Sequence, residues 1–304
     1  MNFDIIGDIH GHADALVELL AKMGYHKQGG VWHQNGHTAI FVGDFIDRGP
    51  AQLSTLDIVR PMVDEGAAMA VMGNHEFNAI AWHTPDPERP GHYLREHSEK
   101  NRNQHQAFLD DTAGNPEIVE DVLNWFLKLP LWIDLPDLRV VHACWHPAHM
   151  EVLAPQLERG RRLSRQLIEA ASRRGSPQFE AIEAILKGPE AKLPDGLSFR
   201  AGDEERHEAR TRWWDADAIT FRESAIVDET IRPLLPDTEV PAELRFGYRG
   251  YKPVFIGHYW MRGPHQPLTP RVACVDYSVG KGGPLVAYRC RGEPELNSAH
   301  FIST

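Results

Sequence analysis

Residues 43 to 49 read Gly43-Asp44-Phe45-Ile46-Asp47-Arg48-Gly49, and they follow a short apolar run, Thr38 to Val42. Two other segments have the same form. The run Phe3 to Gly7 leads into Asp8-Ile9-His10-Gly11, and the run Ala67 to Met72 leads into Gly73-Asn74-His75-Glu76. A short apolar run bounded by turn residues indicates a buried strand, and glycine allows the chain to turn tightly at its end. We therefore predict three strands, each followed by a polar loop.

Helical patterns follow the first two of these loops. The segment His12 to Met23 carries leucine and alanine on one face, and Ser54 to Val63 has a similar period. Strand, polar loop and helix in succession predict an α/β fold. Because ligand sites in open α/β sheets lie at the carboxyl ends of the strands, we expect the three loops to meet there.

The rest of the chain divides into a helical stretch, a hairpin, a long middle region and a return of strands. Helices are predicted for Lys100 to Asp111 and Pro116 to Leu127, and a hairpin for Leu131 to Leu135 with Leu138 to His142. Three later strands are predicted, at Val254 to Ile256, Arg271 to Val275 and Leu285 to Tyr288. We therefore expect one domain over residues 1–304, interrupted by an insertion.

The insertion runs from about Met150 to Gly250 and is predicted to be mainly helical. Its helical segments are Leu157 to Ala171 and Phe179 to Leu186, and proline and glycine interrupt the remainder. It lies between His142 and His258, which both follow predicted strands. If both histidines belong to one site, the insertion is tethered beside it, and a cap over a small substrate is expected.

The polar loops supply the donor atoms that a pair of divalent metal ions needs. Carboxylate, imidazole and amide oxygen suit manganese, iron, zinc and magnesium. The candidate residues lie in the three motifs, and His142 and His258 complete the set. Each motif alone is weak, because a capped loop or a helix start explains it equally well. Three in order behind apolar strands favour a metal site, and we expect two divalent ions, manganese first.

Charge and cysteine content narrow the class of protein. The formal net charge is −11, and an acidic chain is a poor partner for nucleic acid or an anionic membrane. The chain has three cysteines that form no close pair, namely Cys144, Cys274 and Cys290. No membrane-length apolar run and no signal-peptide pattern is found. We therefore expect a cytoplasmic protein whose thiols stay reduced.

The three motifs resemble those of the calcineurin-like metallophosphoesterase superfamily. Asp-Arg-Gly in the second motif and Asn-His-Glu in the third resemble its phosphoprotein phosphatase branch, which includes serine/threonine phosphatases and bacterial diadenosine tetraphosphatases. The resemblance covers the first eighty residues closely and the last fifty more loosely, whereas the middle hundred resemble neither. It implies a β-sandwich of two mixed sheets flanked by helices.

The resemblance also implies a role for each matching residue. Asp8 and His10 would hold the first metal, Asp44 would bridge both metals, and Asn74, His142 and His258 would complete the second. Asp47 would orient His75, which would protonate the leaving oxygen without binding metal. Arg48 would bind phosphate oxygens, since a guanidinium gives phosphate two parallel hydrogen bonds.

Several positions depart from the family or leave two interpretations open. Trp260 stands where many phosphodiesterases have a second histidine, which favours the phosphatase branch. Arg210 and Arg212 are candidates for a second phosphate-binding arginine, or form an exposed basic face. Lys281 could reach a distal phosphate, although a glycine turn explains its loop nearly as well. The basic stretch from His83 to His105 is more typical of a solvated helix face.

These features favour a di-metal phosphohydrolase that cleaves a phosphomonoester or a nucleotide polyphosphate with metal-activated water. One alternative is a serine/threonine protein phosphatase. A second is a noncatalytic binding module that keeps the fold, since fold alone does not establish activity. The sequence leaves the substrate, the identity of the metals and the oligomeric state open.

Overall fold

The computed structural model describes residues 2–201 and 204–304. Its strands are β1 Asn2–Ile6, β2 His26–Gln28, β3 Val31–His33, β4 His37–Phe41, β5 Ala68–Ala70, β6 Trp132–Asp134, β7 Arg139–Val141, β8 Glu190–Lys192, β9 Phe199–Ala201, β10 Glu204–Arg206, β11 Glu208–Arg210, β12 Val254–Ile256, β13 Val272–Cys274, β14 Val286–Cys290 and β15 Phe301–Ser303. Its helices are α1 Ala13–Lys22, α2 Gln52–Asp64, α3 Asn74–His83, α4 Glu99–Asp111, α5 Pro116–Phe126, α6 Pro147–Leu153, α7 Arg165–Ala171, α8 Pro177–Lys187 and α9 Phe221–Ser224.

Two mixed sheets form the framework. The five-stranded sheet has the order β15-β14-β1-β4-β5, in which β1, β4 and β5 are parallel. The four-stranded sheet has the order β13-β12-β7-β6, in which β7, β12 and β13 are parallel. The strands after the middle region therefore complete both sheets, as the sequence predicted: β14 pairs with β1, and β12 pairs with β7.

Buried side chains from both sheets share one apolar cluster. Ile5 and Ile40 of the first sheet belong to the same cluster as Val140 and Phe255 of the second. A larger cluster includes the buried faces of α1, α2, α5 and α8. Helices therefore cover the framework, and the chain has the α/β fold with mixed sheets that was expected.

The sequence misjudged helix α3. Asn74–His83 was predicted only as a loop with a possible helix start, but it is helical throughout. Eight of its ten residues are buried, so it lacks the contrast between a polar and an apolar face by which a helix is recognised. The hairpin of β6 and β7 is confirmed, whereas the hairpin of β2 and β3 was not predicted.

The middle region is helical only in its first half. The helix predicted over Leu157 to Ala171 begins at Arg165, because Gly160 and Arg161 have positive φ and the chain turns there. Beyond Gly188 the mainly helical prediction is wrong: short strands, turns and α9 replace long helices. This half has its own apolar cluster, which includes Leu193, Phe221 and Val240.

No helix among the described residues has the length and apolarity to cross a bilayer.

Candidate metal centre

Each parallel strand delivers polar side chains to a common edge. In the first sheet, β1 is followed by Asp8 and His10, β4 by Asp44 and β5 by Asn74. In the second sheet, β7 is followed by His142, β12 by His258 and β13 by Asp276. All are at least nine-tenths buried. Parallel strands present their carboxyl ends on one side of a sheet, so six distant segments of the chain meet here. The sequence predicted five of these junctions as parts of one site, but it did not predict a place for Asp276 there.

Asp44 lies at the centre of the cluster. Its Oδ2 atom is 3.7 Å from His10 Nε2 and 3.4 Å from His142 Nε2. Two groups of possible ligand atoms contain it, one with His10 and His75 and the other with His142 and His258. Within each group the atoms lie within 4.8 Å of one another. Asp44 is thus the residue that two neighbouring cations would share.

Asn74 and two histidines form the second half of the cluster. The Asn74 Oδ1 atom is 3.1 Å from His142 Nε2 and 2.7 Å from His258 Nδ1. Asp8 lies beside them, because its Oδ2 atom accepts the backbone N–H of His258 at 3.0 Å. All six predicted ligands are therefore brought together.

Backbone carbonyls fix the orientation of two imidazoles. His10 donates its Nδ1–H to the Ile46 carbonyl at 2.9 Å, and His142 donates its Nδ1–H to the Val42 carbonyl at 2.7 Å. In both rings Nε2 is therefore the nitrogen that faces Asp44. A histidine that ligates a metal through one nitrogen usually donates the other N–H in this way.

Unpartnered buried atoms show that the cluster fits metal ions. Asp8 Oδ1 and His10 Nε2 have no hydrogen-bond partner among the described residues, although their side chains are only 1% and 2% exposed. Buried polar atoms are nearly always satisfied, and a coordinated cation would satisfy these. Carboxylate oxygen together with imidazole nitrogen is the donor set of manganese, iron and zinc.

The electrostatic environment of His10 and His258 agrees with this fit, whereas burial of His142 is outweighed by Asp44, which raises the pKa of His142 to about 10. Burial and the neighbouring His75 lower the pKa of His10 to about 3. Burial and the charge of Arg210 hold the pKa of His258 well below its usual range. Both imidazoles are therefore neutral at pH 7, which is the state that binds metal. Burial and Asp276 raise the pKa of Asp8, and a cation would counter both effects.

Glu76 holds the two central loops against each other. Its carboxylate accepts backbone N–H groups from Gly73 at 2.9 Å, Asp44 at 2.8 Å and Phe45 at 2.8 Å. The loops are so close that a Cβ atom on Gly43 would lie 2.5 Å from the Gly73 nitrogen. From the sequence, Glu76 had no predicted role, although it belongs to the third motif. The structure shows that its carboxylate positions Asp44.

Backbone strain is concentrated at the cluster. Eight described residues other than glycine have positive φ, and only Arg161 lies elsewhere; the others are His10, Asp44, Asp47, Arg48, His258, Trp260 and Ser278. Such conformations cost about 1–3 kcal/mol each and are found mainly at functional sites. The surrounding hydrogen bonds thus hold these residues in positions that the free chain avoids.

His75 and His105 both donate to Asp47. His75 donates its Nδ1–H to Asp47 Oδ2 at 2.5 Å, and His105 donates its Nδ1–H to Oδ1 at 2.9 Å. Burial opposes ionisation of Asp47, but the hydrogen bonds from His105 and His75 outweigh it and lower the pKa to about 2. Asp47 therefore remains a carboxylate that orients His75, whose Nε2 faces the cluster.

The prediction of a solvated helix face for His83 to His105 is wrong in part, since His83 and Arg95 are half-buried. His92, Lys100 and Arg102 are exposed as expected, but His105 is only 4% exposed. His105 also stacks on Phe108, with ring centroids 5.0 Å apart. The spacing of His105 and Phe108 on one face of α4 was the available signal.

The candidate phosphate-binding arginines differ in position. Arg48 is exposed and lies near the cluster, since its charge helps to lower the pKa of His10. Arg210 affects His258 in the same way. Arg212 instead lies among Arg232 and acidic side chains of the middle region. The structure therefore brings Arg48 and Arg210 to the rim of the cluster, but not Arg212.

Part of the sequence is similar to known proteins. Residues 1–153 match the sequence profile of the calcineurin-like phosphoesterases. A bis(5'-nucleosyl)-tetraphosphatase PrpE of Oceanobacillus iheyensis is 43% identical over 144 residues, which cover 47% of this chain and 55% of the relative. The corresponding protein of Halalkalibacterium halodurans is 49% identical over 76 residues, covering 25% of this chain and 31% of the relative. The chain thus spans about half, or less, of the length of these relatives.

Solved structures share the fold at low sequence identity. A protein serine/threonine phosphatase of Saccharomyces cerevisiae superposes with a TM-score of 0.53 at 14% identity, covering 100% of this chain and 79% of that one. A cold-active protein-tyrosine phosphatase of a psychrophilic Shewanella gives 0.52 at 16% identity, covering 99% and 80%. With half of its length matched by the family profile, this chain belongs to the calcineurin-like phosphoesterases.

Proposed function

We propose that this protein is a metal-dependent phosphohydrolase whose water nucleophile is activated between two divalent ions. The observation that carries the proposal is the pair of ligand groups that share Asp44. Asp8 and His10 would hold one ion, and Asn74, His142 and His258 the other. Two ions so placed supply hydroxide at neutral pH and neutralise charge on the phosphoryl group.

The residues around the ions have distinct tasks in this proposal. Arg48 would bind the oxygens of the phosphate under attack, because its exposed guanidinium lies at the rim beside His10. His75 would donate the proton of Nε2 to the leaving oxygen. Its Nδ1–H is committed to Asp47, so Nε2 is the atom that faces the cluster. Departure of the leaving group is then assisted by His75 as the acid, which Asp47 holds in place.

Two features favour a small substrate. We rank nucleotide polyphosphates as the first candidate substrates and phosphomonoesters as the second. Several relatives are named bis(5'-nucleosyl)-tetraphosphatases. The middle region also approaches the cluster: Trp213 donates its Nε1–H to the Ala143 carbonyl at 3.1 Å, next to His142. Within one domain of residues 1–304, we propose that the two sheets pack as a β-sandwich and that residues 150–250 form a cap.

Manganese is the metal we propose first, with iron, zinc or magnesium as substitutes. We also propose that the protein acts in the cytoplasm. Its three cysteines are buried thiols, and burial raises the pKa of Cys144 and Cys274 well above the usual range. Thiols that remain protonated and unpaired are typical of a reducing compartment.

A substrate comparison tests the function. The protein is loaded with Mn²⁺ and assayed with diadenosine tetraphosphate, a phosphoserine peptide and p-nitrophenyl phosphate, with Asp44→Asn as the inactive control. We expect hydrolysis of the first and third substrates. A strong preference for the peptide would favour a serine/threonine phosphatase. Complete inactivity with all four metals would favour a noncatalytic binding module.

A further inference from the structure

Trp260 lies in a loop that is held by the buried carboxylate of Asp276. Its backbone N–H donates to Asp276 Oδ2 at 2.7 Å, while Asp276 Oδ1 accepts the N–H of Ser278 at 2.9 Å. Asp276 is 2% exposed. One carboxylate therefore ties the loop after β12 to the loop after β13, and the half-buried indole of Trp260 is held in a defined place.

Two cations lie on this indole. The Lys281 Nζ atom is 3.7 Å from the ring centroid, and the Arg48 Cζ atom is 4.5 Å from it. Both side chains are exposed. A cation over an aromatic face is attracted by the negative charge of the ring. The indole therefore holds a lysine beside the arginine that faces the metal cluster.

Neither cation forms a salt bridge among the described residues, although the more distant Asp228 and Asp276 partly offset the charge of Lys281. Within residues 2–201 and 204–304, no carboxylate lies within 4.0 Å of either Arg48 or Lys281, whereas the nearby Arg262 pairs with Asp228 at 3.6 Å. Partial burial and the charges of Arg48 and Arg262 lower the pKa of Lys281. Positive charges held together without a counterion attract an anion and lose their mutual repulsion when it binds.

The loop that carries Lys281 lies against the metal cluster. A Cβ atom on Gly280 would be 2.7 Å from Arg48 Cδ and 3.2 Å from His10 Cδ2. A larger residue at position 280 would have to displace the Arg48 side chain, so the glycine lets this loop approach Arg48 and His10 closely. Lys281 follows Gly280 directly, so its ammonium belongs to the loop that contacts both Arg48 and His10.

We infer that Lys281, held with Arg48 on Trp260, binds the phosphate adjacent to the one that is attacked. The site then takes substrates with at least two consecutive phosphates, and a phosphoanhydride is preferred to a simple monoester. The inference rests on the proposed function, because it assumes that Arg48 binds the phosphate under attack. The lysine supplies a charged donor for the second phosphate, which a monoester does not possess.

The test removes the charge and keeps the packing. Lys281→Met retains a flexible apolar stem on Trp260, and Lys281→Arg retains the charge. Lys27→Met is the matched control, since Lys27 lies 5.7 Å from the Trp32 ring on the separate hairpin of β2 and β3. KM and kcat are measured for the Mn²⁺-loaded full chain with adenosine tetraphosphate and with p-nitrophenyl phosphate. Binding of a methylene-bridged diphosphonate is measured by calorimetry.

Lys281→Met is expected to raise KM for adenosine tetraphosphate and Kd for the diphosphonate by at least about tenfold, the effect of one lost charge-assisted hydrogen bond. KM for p-nitrophenyl phosphate should change by less than about twofold, and Lys281→Arg should restore most of the affinity. Equal effects on both substrates, or none on either, would overturn the inference. If the wild type hydrolyses neither substrate, the proposed function fails, and diphosphonate binding alone decides the role of Lys281.

Discussion

The floor and the rim of the metal centre differ in how firmly the fold holds them. The floor consists of the six candidate ligands Asp8, His10, Asp44, Asn74, His142 and His258, all buried at strand ends. The rim consists of the exposed or partly exposed cations of Arg48, Arg210 and Lys281 and the half-buried indole of Trp260. Hydrogen bonds to backbone groups orient the floor, whereas the rim cations rest on an indole or on one carboxylate.

This difference separates reaction from recognition. Buried, pre-oriented groups act strongly on charge because little water screens them and little reorganisation is needed. Exposed cations contribute less to each contact, but they can distinguish one phosphorylated molecule from another. We therefore expect large, substrate-independent losses from changes in the floor and in Arg48, which would bind the phosphate under attack. Changes in the rest of the rim should give smaller losses that depend on the substrate.

The largest effect is expected from Asp44→Asn. Loss of the shared carboxylate removes metal stabilisation worth roughly 4 kcal/mol, which corresponds to about a 10³-fold fall in kcat/KM. Metal content by mass spectrometry and turnover of p-nitrophenyl phosphate are the measurements. Asp57→Asn, an exposed change on α2, is the control. Full metal content with normal turnover would show that Asp44 is not a shared ligand.

Arg48→Ala should follow, with a fall in kcat of about 100-fold for every phosphate substrate, as for the loss of one donor to the transition state. Arg48→Lys should recover only part, because an ammonium lacks the planar fork of guanidinium. Arg102→Ala, an exposed change on α4, is the control. Steady-state kinetics with two unlike substrates is the measurement, and an effect confined to one of them would assign Arg48 to recognition alone.

His105→Leu tests whether the floor extends to α4. Removing the donor to Asp47 should lower kcat by about tenfold for phenyl phosphate, less than the roughly 10²- to 10⁴-fold contribution of a proton donor itself. The loss should be smaller for p-nitrophenyl phosphate, whose leaving group needs less protonation. His105→Asn, which keeps a donor near the position of Nδ1, should recover activity. Equal losses with both esters would indicate a structural role only.

The smallest effect is expected from Arg210→Ala, and Arg212→Ala serves for comparison. Arg210 affects His258 and is already paired with Glu190 at 3.3 Å, so its loss should raise KM by only about three- to tenfold. Arg212 lies among charges of the middle region, so its loss should leave KM unchanged. Kinetics with adenosine tetraphosphate is the measurement, and the reverse order would reassign the second arginine.

The floor could be predicted from sequence because every ligand follows an apolar strand, with Asp8 and His10 sharing the first. Glycine and a short polar motif mark the first three junctions, and these signals are local. His105 could not be found in this way. Its contact with Asp47 joins residues 58 positions apart, and it depends on which face of α4 meets the loop after β4. The half of the middle region beyond Gly188 was misjudged because its short strands leave little periodicity.

The sequence by itself determined the α/β class, the candidate ligands and the family, because strand periods and motif chemistry are carried by neighbouring residues. Only the tertiary structure decided what surrounds them. It paired His105 with Asp47, placed Arg210 rather than Arg212 near His258, and set Arg48 and Lys281 on one indole. Such contacts depend on packing between distant segments, and packing is a property of the folded chain as a whole.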